Sequence, residues 1–253
     1  VDLARRCLAS LDLTCLDERA APARIEALCR SAASPWGTVA AVCVYPEYVR
    51  TARLALDRAG AGAVRVATVV NFPFGRPEAD AAALEVQRAV AAGADEVDVV
   101  FPWRRLLQGD RQSGEALVAA CREACGEGVS LKVILESGML PTREPLRDAC
   151  QAALRGGADF LKTSTGKSAV HATTDAAEVM LECIAEHGGS CGFKASGGLR
   201  EPADVAPYFA LAERLLGADW ASPARFRIGA SSLLDTIHAT LGGRTAGAPS
   251  GGY

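Results

Sequence analysis

A single-domain α/β fold of the (β/α)8 TIM-barrel type is predicted by three features of the chain. It has eight short apolar runs, the runs recur at even spacing, and Ala- and Arg-rich amphipathic stretches lie between them. The runs are 10–14, 39–46, 64–72, 96–102, 130–137, 160–166, 191–198 and 226–232. Their starts lie roughly 25 to 35 residues apart, the length of one strand plus one returning helix, and eight such units close a barrel. The barrel domain is assigned to residues 1–241. Residues 242–253, rich in Gly, Ala and Ser and ending in Tyr253, are expected to form a flexible C-terminal tail.

Each predicted element follows from local signals. The first run carries Asp12 and Thr14 at alternate positions; the second and third close on Tyr45-Pro46 and on Asn71-Phe72-Pro73, which end a strand. The fourth is introduced by Gly93-Ala94-Asp95 and the sixth by Gly157-Ala158-Asp159, a weak internal repeat in which Gly supplies the left-handed residue that stops the preceding helix. Gly217-Ala218-Asp219 echoes it without a clear strand immediately after. The fifth run holds Lys132 and Glu136, the seventh closes on Gly197-Gly198, and the eighth on Ser231-Ser232.

Composition narrows the function. The 253 residues are 49% hydrophobic, enough for a sizeable core, and 27 Lys plus Arg against 30 Asp plus Glu give a net charge of −3. That balance offers no basic field for nucleic acid or an anionic membrane surface, so neither is an expected partner. No run approaches the roughly 18 apolar residues of a spanning helix, and residues 1–6 lack a secretory layout, so a soluble cytoplasmic protein is expected. The nine cysteines are odd in number, form no CxxC pair, and read as reduced, buried thiols. His171, His187 and His238 stand at no metal-ligand spacing, so no metal site is expected.

Side chains alternate between strand faces, so polar residues at every second position mark a functional face. Asp12, Thr14, Glu96, Asp98, Lys132, Glu136, Lys162, Ser164, Lys194 and Ser196 share even numbers, whereas Leu11, Leu13, Val97, Val99, Leu131, Val133, Leu135, Leu161 and Phe193 form the odd, apolar face. The polar set is expected inside the barrel and the apolar set beneath the helices. Three buried lysines need compensation, for which Asp12, Asp98 and Glu136 are the expected carboxylates. Such a cluster is either structural or chemical. A desolvated lysine beside another cation loses its proton more readily and attacks carbonyls to form an imine, which then acts as an electron sink. Lys162 and Lys194 sit on consecutive strands and Asp98 is the natural proton shuttle, but parity does not choose the nucleophile among Lys132, Lys162 and Lys194.

The segments 162–167, 196–200 and 229–232 place glycines, hydroxyls and cations at adjacent strand ends, an arrangement suited to an anion such as phosphate. A nucleotide-binding P-loop is excluded, because the spacing to Gly166-Lys167 would require glycine at the position of Leu161. The expected ligand carries a phosphate at one end and a carbonyl at the other.

At these residues the chain resembles the deoxyribose-phosphate aldolase family of Schiff-base enzymes with a (β/α)8 fold. The resemblance is carried by Leu11-Asp12-Leu13-Thr14, Val42-Cys43-Val44-Tyr45-Pro46, Ala67-Thr68-Val69-Val70-Asn71-Phe72-Pro73 and the segments 93–102, 131–136, 157–167, 192–200 and 229–232. It implies reversible, cofactor-free and metal-independent cleavage of 2-deoxy-D-ribose 5-phosphate to D-glyceraldehyde 3-phosphate and acetaldehyde, a step of deoxyribonucleotide catabolism. It also implies Lys162 as the imine-forming residue, Lys194 as the lysine that perturbs it, and Asp98 as the proton relay. Gly166, Lys167, Gly197, Gly198, Arg200, Gly229, Ser231 and Ser232 match the phosphate-end segments. Asp12, Thr14, Lys132 and Cys43 match the substrate pocket, although Cys43 serves as readily as an inert core thiol. Tyr253 resembles a terminal tyrosine that reaches back to the site, and a homodimer is an expected assembly. Two departures bear on substrate tolerance: Ala195-Ser196 stands where the family more often has Pro-Ala, and Trp103 where tyrosine is common. The competing readings are another Schiff-base aldolase or a transaldolase-like enzyme, and a catalytically silent phosphate-ligand binder.

Overall fold

The computed structural model describes residues 1–243; Tyr253 and the rest of the expected tail from 244 onward lie outside the described residues. Eight parallel strands close a barrel: β1 (Leu11–Cys15), β2 (Ala41–Val44), β3 (Arg65–Val70), β4 (Glu96–Val100), β5 (Ser130–Ile134), β6 (Phe160–Lys162), β7 (Gly192–Ser196) and β8 (Phe226–Ala230), with β8 pairing back to β1. The helices are α1 (Asp2–Ser10), α2 (Pro22–Ser31), α3 (Val49–Arg58), α4 (Ala79–Ala91), α5 (Trp103–Leu107), α6 (Gln112–Cys125), α7 (Arg143–Arg155), α8 (Thr174–Glu186), α9 (Pro202–Leu216) and α10 (Leu233–Leu241).

All eight predicted runs contain a barrel strand, but the strands are shorter. Ser10 ends α1, a helix that buries Ala4, Cys7 and Leu8 against the barrel wall and α10. The run 160–166 yields only three strand residues, Phe160–Lys162, although Thr163 still bonds both neighbours, its N donating to Lys194 O at 3.1 Å and its O accepting from Ser137 N at 2.8 Å. A hairpin of Ala33–Ser34 and Gly37–Thr38, outside the barrel, has no counterpart among the expected runs. Two residues per strand are too few to leave an alternation signal.

The repeated Gly-Ala-Asp has a physical basis. Gly93 (φ 99°) and Gly157 (φ 92°) terminate α4 and α7 with positive φ, and the following aspartates reach back to the preceding strand. Asp95 Oδ2 accepts from Val66 N at 2.7 Å, and Asp159 Oδ2 accepts from Leu131 N at 2.7 Å. Each carboxylate thus satisfies a strand-initiating N–H that has left the regular ladder. Gly217 also has positive φ (101°) and ends α9, but β8 begins only at Phe226.

The odd-numbered face packs as expected. Leu11, Leu13, Val97, Val99, Leu131, Val133, Leu135, Leu161 and Phe193 belong to one continuous core between strands and helices. A second, small apolar cluster of Ala41, Cys43, Ala67 and Val69 lies on β2 and β3. The nine cysteines are free and buried. No described helix is long and apolar enough to cross a membrane.

Candidate active site

Seven charged side chains meet inside the barrel, each delivered by a strand. β1 supplies Asp12, β4 Glu96 and Asp98, β5 Lys132, β6 Lys162, β7 Lys194 and β8 Arg227, and none is more than 5% exposed. The parallel register sets Asp98 beside Lys132, Lys162 beside Lys194, and Lys194 beside Arg227. The ion pairs form a closed circuit. Lys132 Nζ lies 2.6 Å from Glu96 Oε2 and 2.7 Å from Asp98 Oδ1. Lys194 Nζ lies 2.5 Å from Asp12 Oδ2 and 2.8 Å from Asp98 Oδ2. Lys162 Nζ donates to Asp98 Oδ2 at 2.8 Å. Arg227 bonds Asp12 Oδ1 at 2.8 Å and holds Glu96 through two nitrogens at 2.8 and 3.1 Å.

The expected set of compensating carboxylates is corrected here. Glu96 completes the circuit, not Glu136. Glu136 follows the end of β5 with positive φ (53°), which turns it out of strand alternation. Its carboxylate accepts from Thr165 N (3.2 Å), Thr165 Oγ1 (2.6 Å) and Ser168 Oγ (3.1 Å). It therefore anchors the segment after β6. Arg227 escaped the parity argument because β8 points its odd positions inward. Gly229 shares that face, and a Cβ there would run into Ser196 Oγ and come within 3.1 Å of Lys194 Cε.

The lysines are chemically unequal. Burial opposes every charge in this layer, but Asp98 and Glu96 raise the pKa of Lys132, and Asp12 with Asp98 raise that of Lys194. At Lys162 burial prevails; Asp98 works against it, the Lys194 charge adds to it, and the pKa is lowered. Asp98 is held well below the usual carboxylate range, because the pull of Lys132, Lys162 and Lys194 overcomes its desolvation. Burial raises the Cys43 thiol pKa, so it stays neutral.

Above this layer, at the C-terminal ends of β1, β6, β7 and β8, lies an open cavity of about 650 Å³. Of the expected residues, Thr14, Lys162, Gly166 and Lys167 line it from β1 and β6, and Gly197, Gly198, Arg200, Gly229, Ser231 and Ser232 from β7 and β8. Lys167 Nζ spans the mouth to donate to Leu16 O at 2.8 Å. Ser231 and Ser232 immediately precede α10, so the helix N-terminus opens on the cavity. Asp12, Cys43, Asp98, Lys132 and Lys194 are fully buried and form no part of that wall; Lys132, expected at the substrate, is sealed between Glu96 and Asp98.

Thr165 and Ser196, which fell within the predicted anion-binding segments without being singled out as site residues, also line the wall, and His171 joins them with no signal from parity or glycine spacing. Ser196 lay on the polar face, where its number was the available signal. Among the described residues, Ser196 Oγ and His171 Nδ1 are buried without a hydrogen-bond partner. Gly197 (φ 86°) supports the His171 ring, and a Cβ there would sit 2.8 Å from Nδ1. Trp103 lines a separate pocket of about 370 Å³ across the 165–169 segment, with the Arg104 guanidinium 3.9 Å above its ring. Among the described residues, no group of three or more His, Cys, Asp or Glu could hold a metal ion.

A closed parallel barrel whose strand ends surround a polar cavity, with Lys162 in its lining, has the general architecture of a barrel enzyme. Residues 7–238 match the DeoC/LacD family of aldolases, to which the chain belongs. Among solved structures it is similar to a Toxoplasma gondii protein provisionally assigned as a deoxyribose-phosphate aldolase, with 27% identity, a TM-score of 0.88, and coverage of 97% of this chain and 96% of that one. A Coccidioides immitis protein with the same provisional assignment is 29% identical, with a TM-score of 0.80 over 94% of this chain and 87% of that one. The tetrameric deoxyribose phosphate aldolase of Aeropyrum pernix is 25% identical, with a TM-score of 0.74 over 95% of this chain and 93% of that one.

Proposed function

We propose that the protein reversibly cleaves 2-deoxy-D-ribose 5-phosphate to D-glyceraldehyde 3-phosphate and acetaldehyde through an imine on Lys162. The observation that carries this reading is that Lys162 alone among the three buried lysines reaches the cavity, and it is the one whose pKa is lowered. The neutral amine adds to the C1 aldehyde of the open-chain sugar, and loss of water leaves a protonated imine. Removal of the C3 hydroxyl proton then breaks the C2–C3 bond. The bonding pair moves into the iminium, giving an enamine, while C3 departs as the aldehyde of glyceraldehyde 3-phosphate. Protonation of the enamine at C2 and hydrolysis of the imine release acetaldehyde and restore Lys162. Asp98 and Lys194, joined to Lys162 through one carboxylate oxygen, are the groups placed to relay protons by way of water.

The phosphate belongs at the opposite end of the cavity, against Gly197, Gly198, Ser231, Ser232 and the first turn of α10. Lys167 and Arg200 supply positive charge there, with Lys167 exchanging its Leu16 carbonyl for the ligand. Borohydride reduction in the presence of acetaldehyde tests the proposal: an ethyl group on Lys162 supports it, and labelling at another lysine or at none refutes it. Direct assay of acetaldehyde release from the phosphorylated sugar separates this substrate from those of other Schiff-base aldolases. Retained turnover in the presence of a chelator tests metal independence.

A further inference from the structure

Arg227 takes no direct part in the proposed reaction, yet its guanidinium holds two of the interior carboxylates, Asp12 and Glu96. Besides Asp12 and Glu96, its Nε donates to Pro223 O at 2.6 Å, so the guanidinium is fixed from below. Its charge is permanent, because a guanidinium does not release its proton in a protein. The circuit then contains four cations, Lys132, Lys162, Lys194 and Arg227, against three carboxylates, Asp12, Glu96 and Asp98. Arg65 approaches Glu96 at 3.6 Å from outside, but it is half exposed and screened by water.

A surplus positive charge away from water is costly and is relieved where a proton is held least firmly. Lys132 and Lys194 each have two carboxylates within 2.8 Å. Lys162 has one oxygen, shared with Lys194. The groups facing it are Asp98 from β4, Lys194 from β7 and the neutral Cys43 thiol from β2. Nothing on these elements offers it a second counterion.

We propose that Arg227 and Glu96 are positioning residues that set the charge surplus of the barrel interior, and that Lys162 is where this surplus is discharged. Arg227 occupies Asp12 and Glu96 from below, so the remaining negative charge cannot hold all three ammonium groups. The link to catalysis rests on the imine reading above; the charge balance itself does not.

The test is to titrate Lys162 directly in the full chain by pH-dependent competitive labelling with acetic anhydride, read by mass spectrometry on the Lys162 peptide. Arg227→Met removes the surplus and should raise the midpoint by about one pH unit or more; Glu96→Gln enlarges the surplus and should lower it by a similar amount. The double variant should return near the unsubstituted midpoint, and the acid limb of kcat/KM should move in parallel with each single variant. Unchanged midpoints, or shifts of the same sign in both single variants as a loosened barrel would produce, overturn the proposal. If Arg227→Met does not fold, Glu96→Gln decides alone, a downward shift supporting the proposal and any other result refuting it. Borohydride trapping is run in parallel. Midpoints that move as expected in a protein that traps no aldehyde would refute the imine reading while leaving the charge balance standing.

Discussion

Lys162 and Lys194 donate to the same atom, Asp98 Oδ2, each at 2.8 Å. One carboxylate oxygen cannot neutralise two ammonium ions, and the contest is settled by what else each amine touches. Lys194 also holds Asp12, whereas Lys162 has only the contested oxygen. The amine at the cavity is therefore the one that yields its proton most easily, and its sealed neighbour is the one that keeps it.

Lys162→Ala is expected to abolish turnover with little change in Tm, since the amine makes one hydrogen bond, to an Asp98 oxygen that Lys194 also holds. Lys194→Leu should leave Asp98 Oδ2 to Lys162 alone and raise the pKa of that amine. The acid limb of the pH profile would then be displaced to higher pH, and turnover near pH 7 would fall about tenfold for every pH unit of that displacement. A profile that does not move would contradict the coupling.

Glu136 anchors Thr165 and Ser168 and thereby orients Gly166 and Lys167. Glu136→Ala is expected to raise KM for the phosphorylated sugar about tenfold, as loss of a charge-assisted hydrogen bond implies. Borohydride trapping of acetaldehyde, which has no phosphate, should be nearly unaffected. Equal losses in both measurements would mean that Glu136 acts on the amine.

Asp159 satisfies Leu131 N at the start of β5 and also bonds Arg122. Asp159→Ala leaves a partly buried donor without a partner and should cost about 1–3 kcal/mol in urea unfolding. Specific activity of the folded fraction should be retained, because the contact lies at the far end of the strand from the cavity.

Acid should unfold the protein through the interior carboxylates. Asp12 and Asp98 titrate below the ordinary carboxylate range in the folded state, so below about pH 4 the unfolded chain takes up protons that the folded chain does not. Their stabilisation is complete above the unfolded pKa and is lost as pH falls toward the folded values. The urea midpoint is thus expected to decline below about pH 4, and a midpoint level down to about pH 2 would contradict the assignment.

The eight-unit spacing and the even-numbered polar face were legible in the chain itself, and they brought Asp12, Asp98, Lys132, Lys162 and Lys194 to one place. What escaped did so where alternation is reset. Arg227 lies inward at an odd number because β8 carries its own phase, and Glu136 leaves the strand through a left-handed residue. His171 joins the wall through a loop fold that no period describes: Ala172 N bonds Ser196 O, and the ring rests against Gly197. The difference between lining a cavity and lying beneath it, which separates Lys162 from Lys132, depends on depth along a strand and is invisible to parity.

β6 is the shortest strand of the barrel, ending at its third residue, Lys162. Lys132 and Lys194 are each the middle residue of a five-residue strand. Among these three side chains, the one on the strand that ends soonest is the one that meets the cavity. Two further strand residues on β6 would seal that amine as thoroughly as its neighbours, and the same ring of charges would become a mere structural plug.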